Sequence, residues 1–443
     1  MHTPISFIHR SALTTLAILC LLGFTACASD NASLPVESGM GPEPTLPEPE
    51  DRWIPTVNVA KASPWQDGAM PEAAEGLRVN AFAQGLSHPR WLYVLPNGDV
   101  LVAETNAQAR PPQRLMDRIR HWVMSRAGAT TPSADRITLL RDADQDGVAE
   151  TQSVMADDLT SPFGMALVGD RLYIANTDAV VSFAYELGQT SLSGEPEVLA
   201  PLPAGERNHH WTKGLVASPD GEALFVSVGS NSDHGENGMA AEENRAAILK
   251  IDIATGEREV LASGLRNPVG MAFEPGTERL WTVVNERDEL GGDLVPDYLT
   301  SVEPGGFYGW PYSYYGDNID ERVEPPRPDL VSQAIVPDFA LGAHTASLGL
   351  TFAEGASLGA AFSDGVFVGQ HGSWNRKPRS GYKVIYVPWA DGGPVMPPQD
   401  VLSGFIGDDD EARGRPVGVV IDTQGALLVA DDVGNVVWRV SKP

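Results

Sequence analysis

Four groups of residues have the side chains and the spacing that chemistry needs. Asn208-His209-His210-Trp211-Thr212-Lys213 sets two histidines side by side. An imidazole titrates near neutrality, so a histidine here can serve as a general base. A zinc pair is the other reading, but no HExxH and no third nearby ligand accompanies it. Gly264-Leu265-Arg266-Asn267-Pro268 offers planar, bidentate donors for a carboxylate or carbonyl oxygen, or else an arginine that ties loops together. Arg413-Gly414-Arg415-Pro416 puts two guanidiniums on one side of an extended segment. In an acidic chain that suggests an anionic ligand, unless the pair only balances Asp408, Asp409, Asp410 and Glu411 just upstream. Asp142, Asp144, Asp146, Gly147 and Glu150 fall at the first, third, fifth, sixth and ninth positions of a calcium loop. Ser153 stands at the twelfth, so the loop is not a complete EF-hand. A calcium site of structural role and a solvated acidic turn are both open there.

These groups need elements to bring them together, and the elements repeat. Strand, tight turn, strand recurs at His88–Glu104, Pro162–Asn176, Gly214–Gly229, Asn267–Asn285, Leu348–Gly369 and Arg415–Ala430. Six copies without long helical patterns between them predict an all-β protein, a six-bladed β-propeller with four strands per blade around a channel. The chemical groups precede strands, so they are expected at the channel mouth. One segment breaks the β pattern. Pro112 to Ala127 places Leu115, Ile119, Trp122 and Val123 on one helical face, among Arg114, Arg118, Arg120 and Arg126. It predicts a short helical insertion after the first blade. That helix would cover a blade edge or, alternatively, dock an electron acceptor or the membrane.

Composition bounds the function. The 443 residues carry 31 Lys+Arg and 59 Asp+Glu, a formal charge of −28. That excess opposes nucleic-acid binding and a polybasic membrane contact. Arg10, an apolar run from Ala12 to Gly23 and then Phe24-Thr25-Ala26-Cys27 read as a signal peptide over 1–26. Cys27 would be the lipidated first residue, which places the protein as a periplasm-facing lipoprotein, of the outer membrane before the inner. An ordinary signal peptide cut near Ala26 is the other reading. The Pro- and Glu-rich stretch Ser29 to Arg52 predicts a disordered tether over 27–60. The propeller would occupy 61–443. With Cys20 removed, Cys27 is the one cysteine left. That excludes a disulfide, a thiolate metal site and a CxxCH haem attachment.

The six copies, together with HHWTKGL (His209–Leu215), GLRNPVGMAF (Gly264–Phe273), GGFYGWPY (Gly305–Tyr312) and RGRPVG (Arg413–Gly418), resemble the glucose/sorbosone dehydrogenase family. DRITLLRDADQDGVAE (Asp135–Glu150) and FVGQHGSWNR (Phe367–Arg376) point to its L-sorbosone dehydrogenase-like branch. The resemblance covers about Asn80 to Val440. It implies a pyrroloquinoline quinone- and calcium-dependent oxidation of an aldose or sorbosone-like sugar, with hydride passing to the quinone. By motif position, His210 is the implied base and Arg266 the stabiliser of the quinone carbonyl, supported by Asn267. Arg413 and Arg415 would bind cofactor carboxylates. His344 would lie at the cofactor edge. Backbone donors in Asn285-Glu286-Arg287-Asp288, above all Glu286 and Arg287, would hold the calcium. The sequence departs from the family at three places. QHGSWNRK (Gln370–Lys377) replaces a cofactor-touching lysine, with His371, Trp374 and Arg376 as substitutes. Thr160-Ser161-Pro162 stands where a glutamine is expected near the second blade. His209 stands where an aspartate precedes the catalytic histidine.

Two other classes fit the same outline. A calcium-dependent lactonase or esterase propeller would need a ring such as Glu104, Asn176, Asn285 and Asp431, which follow strands in four copies. Those residues also suit turn caps. A non-enzymatic ligand-binding propeller is the third. As a dehydrogenase without a haem motif, the chain would pass electrons to a separate acceptor, a cytochrome or the quinone pool.

Overall fold

The computed structural model describes residues 31–50, 56–110 and 115–443, apart from the side chains of residues 115–117, 119 and 120. The expected signal peptide and Cys27 lie outside the described residues. Six antiparallel sheets of four principal strands each make a β-propeller. Blade 1 is Pro89–Val94, Val100–Glu104, Arg136–Arg141 and Thr151–Ala156. Blade 2 is Met165–Val168, Arg171–Ala175, Ala179–Ala184 and Glu197–Pro201. Blade 3 is Leu215–Ala217, Ala223–Val228, Ala247–Asp252 and Arg258–Ser263. Blade 4 joins Asn267–Phe273, Leu280–Asn285, Pro296–Ser301 and Phe339–Ala343. Blade 5 joins Ser347–Phe352, Gly365–Gln370, Lys383–Ala390 and Gln399–Ser403. In blade 6, Pro416–Ile421, Leu427–Asp431 and Val436–Ser441 are completed by Arg78–Gln84 from the start of the domain. That pairing closes the ring and leaves no free edge between the first and last blades.

Each predicted copy forms the two innermost strands of a blade. Hydrophobic and β-branched runs suit strands buried on both faces. The short turn Asn97-Gly98 needs a residue at positive φ, and Gly98 supplies it at +90°. Between blades, facing apolar layers form the core. Trp91, Ile137 and Leu139 of blade 1 pack on Phe163, Leu172 and Ile174 at blade 2. Phe367, Val384 and Tyr386 of blade 5 pack on Leu427, Val429 and Trp438 of blade 6.

Two sequence expectations differ from the structure. Residues 31–50 are not a free tether. Met40–Gly41 adds a short strand to Phe339–Ala343 of blade 4, and Leu46 packs on the blade 4 core. Composition counts too little apolar surface here for folding, but this segment orders on a preformed surface through hydrogen bonds. The insertion helix spans Leu115–Arg126, between the second and third strands of blade 1 and not after the blade. Trp122 is 60 % exposed, with the Arg126 guanidinium 5.4 Å from its ring centre. The helix is tied down at its end, where Ala62 N donates to Arg126 O at 2.7 Å. No helix among the described residues is long and apolar enough to cross a membrane.

Candidate functional site

Strands alternate direction within a blade, so the loops before the first strand and after the second share one end of the propeller. His88, His210, Arg266, His344 and Arg415 lie in or at the ends of loops before first strands. Asp233, Asp288, His371, Asn375 and Asp432 follow second strands. All ten therefore meet at one channel mouth. The Asp142–Glu150 turn links the third and fourth strands of blade 1 and lies at the opposite end.

One cluster centres on Arg266, which is 3 % exposed. Its Nη2 donates to Asp233 Oδ1 at 2.6 Å and to Asp288 Oδ2 at 2.9 Å. Its Nη1 donates to Glu286 O at 2.6 Å. Burial pushes the Asp233 carboxyl up, but Arg266, His234 and Arg287 outweigh it and hold Asp233 far below the usual carboxylate range. Arg287 donates through Nε to Asp320 Oδ2 at 2.6 Å and through Nη1 to Asp233 Oδ2. His344 joins the same cluster, with Nε2 2.9 Å from Gly291 O and Nδ1 3.5 Å from Asp288 Oδ1. Burial would lower its pKa, but the Asp288 contact raises it. Asn375 Nδ2 donates to Asp288 Oδ1 at 2.9 Å.

The second cluster centres on Asp432. Arg90 Nη1 donates to its Oδ2 at 2.6 Å, and His371 Nε2 lies 2.9 Å from the same oxygen. His88 Nδ1 is 3.1 Å from Asp432 O. Arg415 lies 4.9 Å from the centre of the Tyr382 ring, donates through Nη2 to the Tyr382 hydroxyl at 2.7 Å, and sits 3.4 Å from His371 Nδ1. Burial lowers His371, with Arg415 and Arg90 adding to it, and the Asp432 carboxylate does not offset them. The pKa falls to about 4. Buried Arg90 Nε, Arg415 Nε and Asp432 Oδ1 have no hydrogen-bond partner among the described residues. Such orphaned polar atoms are uncommon and mark capacity for a ligand.

His210 has Nδ1 2.9 Å from Ser230 O and 3.0 Å from Ser230 Oγ. Ser230 Oγ spends its own proton on Ser232 O at 2.6 Å. Nδ1 is therefore the donor, and Nε2 carries the lone pair. Burial, then His209 and Arg266, push the His210 pKa well below its ordinary value. The approach depends on Gly229. A Cβ there would lie 2.2 Å from Asn267 Oδ1 and 2.5 Å from His210 Cβ. Asn267 Oδ1 is itself buried without a partner among the described residues.

The structure thus brings His210, Arg266, Asn267, Glu286, Arg287, His344, His371 and Arg415 to one end. Arg413 lies on the same loop as Arg415, but its side chain does not join the clusters. The segment before Pro416 is a turn, not a strand. Arg413 N donates to Phe405 O at 2.8 Å, and Arg415 N to Asp431 Oδ1 at 2.8 Å. Only Arg415 turns inward, and the Arg413 side chain is exposed. Arg287 Nε and Nη1 are bound to carboxylates, its buried Nη2 has no partner among the described residues, and the Glu286 carbonyl is bound to Arg266. Asp142, Asp144, Asp146 and Glu150 do gather, with their ligand oxygens within 4.8 Å of one another. The lactonase ring has no free carboxylates. Glu104 is held by Arg136 through two bonds of 2.9 Å. Asp431 accepts from Trp65, Trp438, Arg415 N and Gly434 N at 2.8–3.0 Å. These are loop ties. Sequence reading missed Asp233, Asn375, Asp432, His88 and Arg90, and named Asp288 only for its backbone. Their one common signal is position after a second strand or at the start of a first strand.

A family model described as TrAA12-like matches residues 133–305 and 330–443. A pyrroloquinoline quinone-dependent pyranose dehydrogenase of Coprinopsis cinerea is 23 % identical over 83 % of this chain. The chain spans 54 % of that protein's length. The holo form of the PQQ domain of a pyranose dehydrogenase from the same organism superposes with a TM-score of 0.67 at 21 % identity, covering 86 % of this chain and all of that domain. A calcium structure of a Trichoderma reesei carbohydrate-active enzyme of family AA12 gives a TM-score of 0.68 at 18 % identity, over 88 % of this chain and 99 % of the other. At such identities the superpositions establish the fold.

Proposed function

The chain belongs to the TrAA12-like family, and from that premise we propose that it is a pyrroloquinoline quinone-dependent dehydrogenase that oxidises an aldose or sorbosone-like sugar. The observation that carries this reading is the pair of buried, unpartnered guanidinium nitrogens, Arg90 Nε and Arg415 Nε. They face the same mouth as a histidine with a free Nε2. In a chain of charge −28, buried arginines with donors to spare suit an anion bearing several carboxylates. Arg415 and Arg90 would hold those carboxylates, with His371, His344 and Asn267 at the edges. Backbone oxygens of the 286–288 loop would hold calcium, the carbonyl of Glu286 giving up its bond to Arg266. When bound, the quinone supplies the two-electron acceptor and calcium the Lewis acid.

This chain's own groups do the rest. His210 takes the proton of the sugar hydroxyl at Nε2, and the Ser230 carbonyl holds the imidazolium through Nδ1–H. Its lowered pKa keeps it in the basic form at neutral pH. Arg266 supplies a fixed positive charge beside the base, oriented in advance by Asp233 and Asp288. A calcium ion at Asp142–Glu150 would brace blade 1 at the far end and take no part in the reaction. Electrons leave to a separate cytochrome or quinone-pool acceptor, from a protein held at a periplasm-facing membrane by lipid on Cys27.

The test is reconstitution of the apo-protein with the quinone and calcium, then a sugar panel with a dye acceptor. Sugar-dependent dye reduction that disappears in His210→Ala, with quinone binding retained, is the expected result. Unchanged turnover in His210→Ala refutes the assignment of the base. No quinone binding refutes the reading as a whole, and lactone hydrolysis without quinone would replace it with a hydrolase.

A further inference from the structure

Residues 31–34 lie across two loops that carry site side chains. Asn31 Nδ2 donates to Asn375 O at 2.7 Å, and Lys377 N donates to Asn31 Oδ1 at 2.6 Å. Asn31 N and Ala32 N both donate to Lys377 O at 3.1 Å. Ser33 N, Ser33 Oγ and Leu34 N converge on Asp293 Oδ2 at 2.7, 2.8 and 3.1 Å. Between them runs the buried side chain of Arg376. It donates to Leu34 O at 2.7 Å, to Gly292 O at 3.0 Å and to Asp293 Oδ1 at 3.2 Å. The strap, the 288–293 loop and the 371–377 loop are thereby one hydrogen-bonded unit. Gly292 is part of the fit, since a Cβ there would meet Asn31 O at 2.4 Å.

The unit points at the site. Asn375, whose carbonyl Asn31 holds, donates its side-chain amide to Asp288 Oδ1, and Asp288 Oδ2 accepts from Arg266. His371 stands four residues earlier on the same loop, bonded to Asp432. The loop therefore bridges the two charge clusters, and the strap fixes its far end. Asn31 is 5 % exposed, so its amide bonds are shielded from competing water.

We propose that Asn31 is a positioning residue. By clamping Asn375 and Lys377 it sets the loop that holds Asp288, and so Arg266, and that presents His371 at the channel mouth. It touches neither substrate nor cofactor. The inference rests on the reading of Arg266 and His371 as site residues, so its test has one arm that needs no quinone.

In the full chain, Asn31→Ala removes both side-chain bonds. Asn31→Asp keeps the acceptor for Lys377 N and removes the donor to Asn375 O. Gly292→Ala displaces the strap with Asn31 intact. Hydrogen exchange of the cofactor-free protein is expected to quicken about tenfold at residues 371–382 in Asn31→Ala and Gly292→Ala, and at least as much in Asn31→Asp, which sets a carboxylate oxygen against Asn375 O. Exchange in the strands of blade 2 should stay at the wild-type rate. Quinone titration with calcium, followed by absorbance, should then show about tenfold weaker binding in the same order of variants. Unchanged exchange at 371–382 overturns the clamp. Faster exchange there with unchanged quinone affinity overturns the positioning role and leaves a structural strap. If the wild-type chain binds no quinone, the functional reading fails, and the exchange arm still decides whether the strap holds the loop.

Discussion

The clusters around Arg266 and Asp432 share one channel mouth but are built in opposite senses. Around Arg266, the carboxylates of Asp233, Asp288 and Asp320 and the carbonyl of Glu286 meet two guanidiniums; Arg266 spends its donors on acids and carbonyls, while Arg287 keeps one nitrogen, Nη2, without a partner among the described residues. Around Asp432, one carboxylate meets Arg90, His88 and His371, with Arg415 against His371, and two guanidinium nitrogens are left without a partner among the described residues. Their histidines differ too. Burial would lower His344 but Asp288 raises its pKa, while burial, with Arg415 and Arg90 adding to it, pushes His371 down to about 4 despite Asp432. Acids in excess hold cations in place. Cations in excess stay ready for an anion. The first cluster is thus mainly an internal network that positions a charge, and the second is the one proposed above as the receptor.

The sharpest way to break this contrast is to remove the central arginine of the first cluster. Arg266→Ala leaves the partly buried Asp233 and Asp288 beside each other without their main counter-ion. Urea unfolding should show a loss of about 3–5 kcal/mol, the range for breaking a buried pair by removing one partner. A loss under about 1 kcal/mol would mean that the acids are solvated and the cluster is not the internal scaffold described above.

Next in size is the pH response of the receptor cluster. A histidine depressed in the folded state makes stability rise with pH between its folded and unfolded pKa values, because the unfolded chain binds more protons there. For His371 that window runs from about 4 to about 6.5. Acidification across it should cost about 3 kcal/mol at roughly 1.4 kcal/mol per unit. His88 and His210, both lowered, act in the same direction. His344 acts in the opposite one. Its contribution is present below about 6.5 and is lost as pH rises through its raised folded value. Unfolding midpoints from pH 4 to 8 should therefore show an acid limb that flattens in His371→Gln. An acid limb unchanged in that variant would assign it elsewhere.

The propeller was legible in the sequence because its repeat is local. Each copy holds both innermost strands and their turn within about twenty residues, and alternating patterns report such units directly. His210, Arg266 and Arg415 were legible because each sits just before a strand whose direction is known. Asp233 and Asp432 were not, and Asp288 was legible only for its backbone. Their meaning comes from partners 22 to 342 residues away in sequence, such as Arg266 with Asp288 and Arg90 with Asp432, and no local pattern encodes that distance. The strap at residues 31–34 was misread for the same reason. Pro- and Glu-rich composition says that a segment cannot make its own core, and says nothing of a surface built by loops three hundred residues later.

Within the receptor cluster, Arg415→Ala should separate binding from stability. Arg415 is bonded to Tyr382 and His371 and not to Asp432, so Asp432 keeps Arg90 and His371 when it goes. The expected stability loss is about 1 kcal/mol, for one hydrogen bond and one ring contact. Quinone affinity should fall about a hundredfold, the scale of a lost charge-assisted contact. A variant that instead unfolds like Arg266→Ala would show that the two clusters are the same kind of structure.

The smallest effect is the most pointed, because it concerns the neighbour that sequence could not tell from Arg415. Arg413 and Arg415 are two residues apart and would share a side on a strand. The turn through Gly414 ends that equivalence. A Cβ at Gly414 would lie 2.1 Å from an Asp431 carboxylate oxygen, so the backbone there is pressed against Asp431. That approach sends Arg415 inward and leaves Arg413 in solvent. Arg413→Ala should change unfolding free energy by less than about 0.5 kcal/mol, as for surface substitutions without special contacts, and leave quinone affinity within about twofold. An Arg413 effect as large as that of Arg415 would mean that the loop turns both arginines inward when ligand binds. The receptor cluster would then be assembled by its ligand and not pre-formed, which is the one property that most separates it from the cluster around Arg266.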